Sequence, residues 1–143
     1  MMVVSRNHLI SMILAGLGIV DSIYLTWIKY TENPSLCIKG LGDCISVNNS
    51  TYSELFGIPI SVLGALTYGV ILITLFLKSK RKFFAENGDY ILFGISFFGA
   101  IYSIYLTYIE VAVIRAICPF CITSAVTMLV IFILSIIRLV LAR

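Results

Sequence analysis

The stretch CPFCITSAVTMLVIFILSIIRLVL, residues 118–141, decides the fold of this chain. It starts with Cys118-Pro119-Phe120-Cys121 and continues as an apolar run that is long enough to cross a bilayer as a helix. Proline is favoured in the first helical turn, because its missing N–H would be unpaired there anyway. We therefore predict Cys118 at the mouth of a helix and Cys121 one turn inside, on the same face. The free N–H groups of a helix N-terminus favour a thiolate, so this pair is predicted to be redox-active.

The composition indicates an integral membrane protein. Of the 143 residues, 60% are hydrophobic and only 12% are charged, whereas a soluble domain of this size exposes too much surface for such a composition. We predict an all-α bundle of four transmembrane helices, at about 8–30, 57–77, 90–112 and 118–141. These helices and a long outer loop, residues 31–56, are expected to form one membrane domain that occupies the whole chain.

The loop is predicted to contain a short helix. Residues 51–54, TYSE, have the form of a capping box, which is typical of a helix start. A helix at about 51–55 is expected to lie across the mouth of the bundle.

The distribution of Lys and Arg predicts the orientation. Seven basic residues fall on the side of the termini: Arg6, Lys78, Lys80, Arg81, Lys82, Arg138 and Arg143. Three fall on the other side: Lys29, Lys39 and Arg115. The positive-inside rule makes the richer side cytoplasmic. We therefore expect a multi-pass cell-membrane protein with both termini in the cytoplasm and its cysteines at the extracytoplasmic face.

An internal repeat supports this layout. Residues 22–30, SIYLTWIKY, match residues 103–111, SIYLTYIEV, at an offset of 81. Gly18 and Gly99 share that offset, as do Cys37 and Cys118. The matched first and third helices run in the same direction, so the repeat is predicted to be parallel.

All four cysteines, Cys37, Cys44, Cys118 and Cys121, are predicted at one face. Redox exchange between two pairs explains this, because a thiolate must reach a disulfide sulfur to react with it. A structural zinc site would use four thiolates. However, six residues separate Cys37 from Cys44, and the only histidine, His8, is predicted at the opposite face. Buried inert cysteines would not explain their shared location.

The paired loop cysteines, the segment FGIPIS at residues 56–61 and the Cys118-Pro-Phe-Cys121 motif together resemble the vitamin K epoxide reductase family. The similarity extends over essentially the whole chain. It implies a four-helix bundle that encloses a quinone (ubiquinone, menaquinone or a vitamin K-like compound) as electron acceptor, without a metal. Many prokaryotic members carry a fused thioredoxin-like domain. This chain stops at Arg143, so we expect an extracytoplasmic thioredoxin-like (DsbA-like) protein to act in trans, and no nucleic acid to bind.

By position, the resemblance assigns the cysteines to an electron relay. Cys37 is expected to meet the partner, Cys44 to exchange with Cys118, and Cys121 to pass electrons to the quinone. We expect the quinone to lie against Cys121, Ser53, Phe56, Ser61 and Ala125. The implied reaction is thiol:quinone oxidoreduction, which supports disulfide-bond formation.

Two positions depart from family members that reduce vitamin K epoxide. Those members have a tyrosine where this chain has Ala125 and an asparagine where it has Ser53. The departures argue against epoxide reduction but not against quinone reduction. A vitamin K epoxide or quinone reductase is the alternative enzyme, and a membrane scaffold stapled by two disulfides is the non-enzymatic alternative.

Asp21 is predicted well inside the first helix, where a charged side chain costs roughly 3 kcal/mol even on the mildest scale. One role for it is a proton relay to the quinone. The simpler interpretation is a neutral carboxyl group hydrogen-bonded between helices.

Overall fold

Four long helices make up most of the protein, whose computed structural model describes residues 2–31, 47 and 49–143. Helix α1 comprises Met2–Thr31, α2 Ile60–Lys78, α3 Lys82–Tyr108 and α4 Pro119–Leu141. A π-helical turn, Ile109–Ile114, extends α3. All four helices are long and apolar enough to cross a membrane. The predicted fold class, a helical membrane protein with four spanning helices, is confirmed.

Helix α3 begins at Lys82, well before the apolar run that was predicted from about residue 90. The connection from α2 is correspondingly short, and the backbone N–H groups of Lys80 and Arg81 bond to the Leu77 carbonyl oxygen at 2.9 and 2.8 Å. The polar first turns of α3 stay helical beside the end of α2, where Lys78 Nζ lies 2.6 Å from Asp89 Oδ1. Hydropathy marks the membrane-crossing part of a helix, not its first residue.

The helices pack as a closed ring. Each helix contacts the next in chain order, and α4 packs back on α1. The central cluster contains buried apolar side chains from all four helices: Ala15, Tyr68, Ile71, Leu75, Leu92, Met128 and Ile131. Large apolar side chains also cover the exterior, among them Ile13, Leu17 and Val20 on α1 and Val126, Ile133 and Val140 on α4. Such an apolar exterior fits contact with lipid.

The sequence repeat corresponds to a repeat in packing. Buried positions of α1 and α3 coincide at the offset of 81 residues: Asn7 with Gly88, Ser11 with Leu92 and Ala15 with Ser96. The matched glycines both allow close approach of a side chain from another helix. A Cβ atom on Gly18 would lie 2.6 Å from ring carbons of Tyr68, and one on Gly99 would lie 2.9 Å from Met128 Sδ.

The segment before α2 forms a 3₁₀ turn, Thr51–Ser53, and a two-stranded hairpin. Strand β1 is Glu54–Leu55 and strand β2 is Ile58–Pro59, paired antiparallel. The predicted short helix is therefore limited to one 3₁₀ turn. The capping box does not form, because Ser50 occupies the N-cap position and Glu54 belongs to β1.

Both loop residues of the hairpin, Phe56 (φ 53°) and Gly57 (φ 79°), have positive φ, as a type I′ turn requires. Glycine adopts this conformation without strain, whereas for phenylalanine it costs roughly 1–2 kcal/mol.

We call the end of the bundle that contains Cys118 the cysteine end. The opposite end carries buried charge: Arg138 is almost fully buried, and its Nε lies 3.7 Å from Asp89 Oδ1. There, His8 Nε2 also lies 2.9 Å from the Leu75 carbonyl oxygen, which ties α1 to α2.

Candidate functional site

The Cys118-Pro-Phe-Cys121 motif forms the start of α4. Cys118 is the N-cap residue, with an extended backbone (φ −104°, ψ 112°), and Pro119 opens the helix. The Ile122 N–H donates to the Cys118 carbonyl oxygen at 3.1 Å, which closes the first turn around Cys121. This confirms the predicted helix start. Cys118 is fully buried and Cys121 partly buried, and both are thiols.

Phe120, between the two cysteines, packs on α1. Its ring centroid lies 4.9 Å from that of Tyr24. Cys118 and Leu25 form a small buried cluster, and Phe120, Cys121 and Val47 pack against it. The motif is therefore held against the end of α1.

Glu110 attaches the end of α3 to the motif. Its Oε1 accepts a hydrogen bond from the backbone N–H of Cys118. The whole residue is only 3% exposed. The π-helical turn ends at Arg115, whose left-handed backbone (φ 56°, ψ 31°) lets Ala116 N–H donate to the Glu110 carbonyl oxygen at 3.2 Å. Glu110 therefore bonds to both ends of the segment that joins α3 to α4.

The surroundings lower the pKa of the Cys118 thiol. The hydrogen bond with the Cys121 side chain is the largest cause, and the backbone N–H groups of Cys121 and Phe120 act in the same direction. Burial and the nearby Glu110 carboxylate oppose this effect. The net lowering enlarges the thiolate fraction of Cys118, and the thiolate is the reactive form in disulfide exchange.

A mostly apolar cavity of about 180 Å³ lies inside the cysteine end. All four helices and the segment before α2 contribute to its wall. Four of the predicted quinone-contacting residues line it: Cys121, Ser53, Ser61 and Ala125. The structure therefore brings the second cysteine of the motif to the wall of an apolar chamber.

Phe56, the fifth predicted contact, does not line this cavity. It lies at the tip of the β1–β2 hairpin, and 96% of its surface is exposed. The sequence placed it at the entry to the second helix, but the type I′ turn directs its side chain away from the bundle.

Some polar groups of the cavity wall have hydrogen-bond partners within the protein. Tyr68 Oη donates to the Ser124 carbonyl oxygen at 2.8 Å, which joins α2 to α4. Ser61 Oγ accepts a hydrogen bond at 2.9 Å from Thr26 Oγ1, which lies outside the cavity wall, and this bond joins α1 to α2. A ligand in this cavity would meet an apolar surface with a few fixed polar atoms, as is common for small-molecule sites.

Lys29 and Glu110 also line the cavity, although neither was among the predicted contacts. Lys29 Nζ donates to Ser53 Oγ at 2.9 Å and lies 3.1 Å from Glu54 Oε1. The repeat contained a signal for both, because Lys29 and Glu110 are matched at the offset of 81 residues.

Asp21 is half-buried on α1 and does not line the cavity. Its Oδ2 atom is buried without a hydrogen-bond partner among the described residues. Neither its relay role nor the simpler interpretation is tested by this geometry.

The loop cysteines Cys37 and Cys44 lie outside the described residues. Within the described ranges, no group of three or more His, Cys, Asp and Glu side chains is arranged to hold a metal ion.

Comparison with known proteins finds similarity over most of the chain. The sequence model of the vitamin K epoxide reductase family matches residues 9–136. The thiol-disulfide oxidoreductase LTO1 of Arabidopsis thaliana is 34% identical over 122 residues, which cover 82% of this chain and 32% of that protein. The chain thus spans about a third of the length of that curated protein. The family match includes all the residues that line the cavity.

Proposed function

Because the chain belongs to the vitamin K epoxide reductase family, we propose that it is a membrane thiol oxidoreductase that passes electrons from extracytoplasmic dithiols to a membrane quinone. One observation carries this proposal: Cys121 lies one turn inside α4 on the wall of an apolar cavity, beside the more acidic-than-usual Cys118 thiol. Its similarity to a protein named thiol-disulfide oxidoreductase supports the thiol half of the reaction.

The proposed reaction balances as a two-electron, two-proton transfer. Two S–H bonds of Cys118 and Cys121 break and one S–S bond forms. The two electrons and two protons convert a quinone to the quinol, in which both carbonyl oxygens have become hydroxyls. A partner dithiol then reduces the new disulfide by thiol–disulfide exchange.

Cys37 and Cys44 are proposed to carry electrons to this disulfide. In the relay, Cys37 exchanges with an extracytoplasmic thioredoxin-like protein and Cys44 with Cys118. The distribution of Lys and Arg supports the required orientation, with the cysteine end outside and both termini in the cytoplasm.

The proposed quinone site is the cavity at the cysteine end. Cys121 is the reactive group on its wall, and the small side chain of Ala125 leaves space beside α4. Ser53 and Ser61 provide hydroxyl groups for hydrogen bonds to the quinone. Lys29 joins this set because its ammonium group reaches Ser53. Ala125 has no hydrogen-bonding group to offer an epoxide, so the cavity supports quinone rather than epoxide as the substrate.

Asp21 is kept as a proposed proton relay. It does not line the cavity, so it would act through other groups. Replacement of Asp21 by Asn tests this directly, and full quinone reduction across the pH range in that variant would remove Asp21 from the pathway.

The whole function is tested with purified protein and a reduced thioredoxin-like protein. The partner should become oxidised only when a quinone is added, with one quinone consumed per dithiol. Vitamin K epoxide in place of the quinone should support much slower oxidation. A protein that oxidises the partner at the same rate without a quinone, or not at all with one, contradicts the proposal.

A further inference from the structure

Glu110 is a buried carboxyl group beside the reactive thiols, and the reaction as written above gives it no role. It is 3% exposed and lies in the π-helical turn that ends α3. Its Oε1 accepts the Cys118 backbone N–H, and it shares the cavity wall with Cys121. A π-helical turn is a rare local structure and often marks a functional position.

Glu110 is the one carboxyl group among the described residues that line the cavity. The other titratable groups on that wall come from every surrounding element: Lys29 from α1, Tyr52 from the 3₁₀ turn, Tyr68 from α2, Tyr102 from α3 and Cys121 from α4. Lysine and tyrosine ordinarily titrate at about 10. A general acid or base works best when its pKa lies near the operating pH, and of these types of side chain a buried carboxyl group is the best suited to that role.

No ion pair holds Glu110 in the described part of the chain, although Lys29 faces the same cavity and is paired with Glu54. A carboxylate that is buried without a paired cation costs several kcal/mol in general, which favours a group that exchanges protons over a permanent charge. The Cys118 N–H donates one hydrogen bond to Glu110 Oε1. This oxygen can accept it whether the carboxyl group is charged or neutral, provided that the proton is on the other oxygen.

The proposed reaction must move two protons through an apolar chamber. The thiols release them as the S–S bond forms, and the quinone oxygens take them up. A titratable side chain fixed on the wall of this chamber can carry these protons between the thiols and the quinone oxygens.

We propose that Glu110 accepts a proton from the Cys118–Cys121 dithiol as the disulfide forms and delivers it to the quinone oxygen. This role rests on the proposed function. Each of the two S–H bonds that break supplies one proton in turn. The carboxylate becomes a carboxylic acid and returns to a carboxylate when a quinol O–H forms, so that two such transfers account for both protons. No further reactant is needed.

The alternative is that Glu110 only holds the start of α4 through Cys118. The Glu110→Gln variant separates the two roles, because its amide oxygen still accepts the Cys118 N–H but the amide does not exchange a proton. Glu110→Asp keeps the carboxyl group and shortens its reach. Glu86→Gln is the matched control, since Glu86 is exposed on the same helix, near the opposite end.

The experiment measures anaerobic reduction of a short-chain ubiquinone analogue by the full chain, with excess dithiothreitol as the electron donor, as a function of pH. Glu110→Gln should lower kcat by about 100-fold or more, leave KM for the quinone within about twofold, and remove one protonation step from the pH profile. Glu110→Asp should retain more activity than Glu110→Gln, and Glu86→Gln should behave as the wild type. Thermal unfolding checks that the variants are folded.

Glu110→Gln with a wild-type rate and pH profile overturns the inference. So does a result in which Gln supports the reaction as well as or better than Asp, because that pattern identifies a positioning residue. A wild-type protein that does not reduce the quinone overturns the proposed function and this inference with it. An active wild type with an unaffected Gln variant overturns the inference alone.

A second measurement covers the case in which Glu110→Gln does not fold. Time-resolved infrared spectra recorded during quinone reduction report transient carboxyl protonation. A carboxyl signal that forms and decays during the reaction and persists in Asp21→Asn supports the inference. Spectra without such a transient signal contradict it.

Discussion

Lys29 and Glu110 face one cavity from equivalent positions of α1 and α3, 81 residues apart in the chain. The preceding residues, Ile28 and Ile109, are both buried, so the two helices present the charged residues in the same register. Lys29 bonds to the segment before α2, whereas Glu110 bonds to the start of α4. The two halves of the repeat thus place a base and an acid at the cavity, and each connects its helix to the element that follows in the chain.

The close approach of α2 to Gly18 predicts a position-specific loss of stability. A methyl group on Gly18 would lie 2.6 Å from the Tyr68 ring, whereas one on Gly16 would meet nothing within 4 Å. Gly18→Ala should therefore be less stable than Gly16→Ala by about 1–3 kcal/mol, the usual cost of overpacking. Thermal unfolding in detergent provides the comparison, and equal midpoints for the two variants would show that the helices do not approach this closely.

The two matched glycines, Gly18 and Gly99, face side chains of different stiffness. A methyl group on Gly99 meets the flexible end of Met128, which can move aside more easily than the Tyr68 ring. The sequence repeat alone treats the two glycines as equivalent, and only the identity of the facing side chain distinguishes them.

The pKa of Cys118 should depend on the hydrogen-bonding group at position 121. Because Cys121 lowers that pKa mainly through its side chain, a variant without a donor there should titrate at higher pH. We expect the thiolate midpoint of Cys118 to be higher in Cys121→Ala than in Cys121→Ser, which keeps a donor. Thiolate absorbance against pH measures it, with Cys37 and Cys44 replaced by Ser so that one thiol titrates.

The sign of this effect sets the pH range of activity. A lowered pKa keeps Cys118 as a thiolate down to lower pH than an ordinary cysteine, and the thiolate is lost as the pH falls through the lowered value. Identical midpoints in the Ala and Ser variants would mean that the Cys121 side chain does not tune Cys118.

Residues 125 and 126 predict a contrast between the two faces of α4. Ala125 lines the cavity, whereas Val126 is exposed on the outer surface. Ala125→Leu should fill part of the chamber and raise KM for a ubiquinone analogue by about 5-fold or more, since a cost of about 1–3 kcal/mol corresponds to roughly 5- to 150-fold. Val126→Leu should leave KM unchanged. A reversed order would mean that the quinone binds outside this cavity.

Much of the fold follows from local sequence signals. The length of the apolar runs predicts four spanning helices, and Pro119 predicts the start of α4, because both depend on residues that are close in the chain. Cys121 and Ala125 are four residues apart on α4, and both line the cavity.

Other features depend on contacts between distant residues. The first turns of α3 are polar, so hydropathy gave no reason to extend the helix to Lys82. The capping-box pattern at residues 51–54 predicted that Glu54 would cap a helix. Glu54 belongs to the β1–β2 hairpin instead, and its side chain pairs with Lys29 and not with the helix start. Phe56 was placed on the cavity wall by sequence proximity, and its positive φ turns it outward.

Glu110 could not be located from its neighbours in the sequence. Its inward position results from the π-helical turn, which is accompanied by the bond to the Cys118 N–H and the left-handed Arg115. The one available signal was the match to Lys29 in the repeat, which identified the position without showing that both side chains meet the same cavity.

The central claim is that the Cys118–Cys121 dithiol gives its electrons to a quinone, and reduction of a ubiquinone analogue by the dithiol-reduced chain tests it most directly. A chain in which Cys37 and Cys44 are replaced by Ser, with Cys118 and Cys121 intact, should reduce about one quinone per Cys118–Cys121 pair in a single turnover. Replacement of either Cys118 or Cys121 by Ser in that background should abolish the reaction, because neither can then form the S–S bond. Undiminished quinone reduction in both variants would contradict the account.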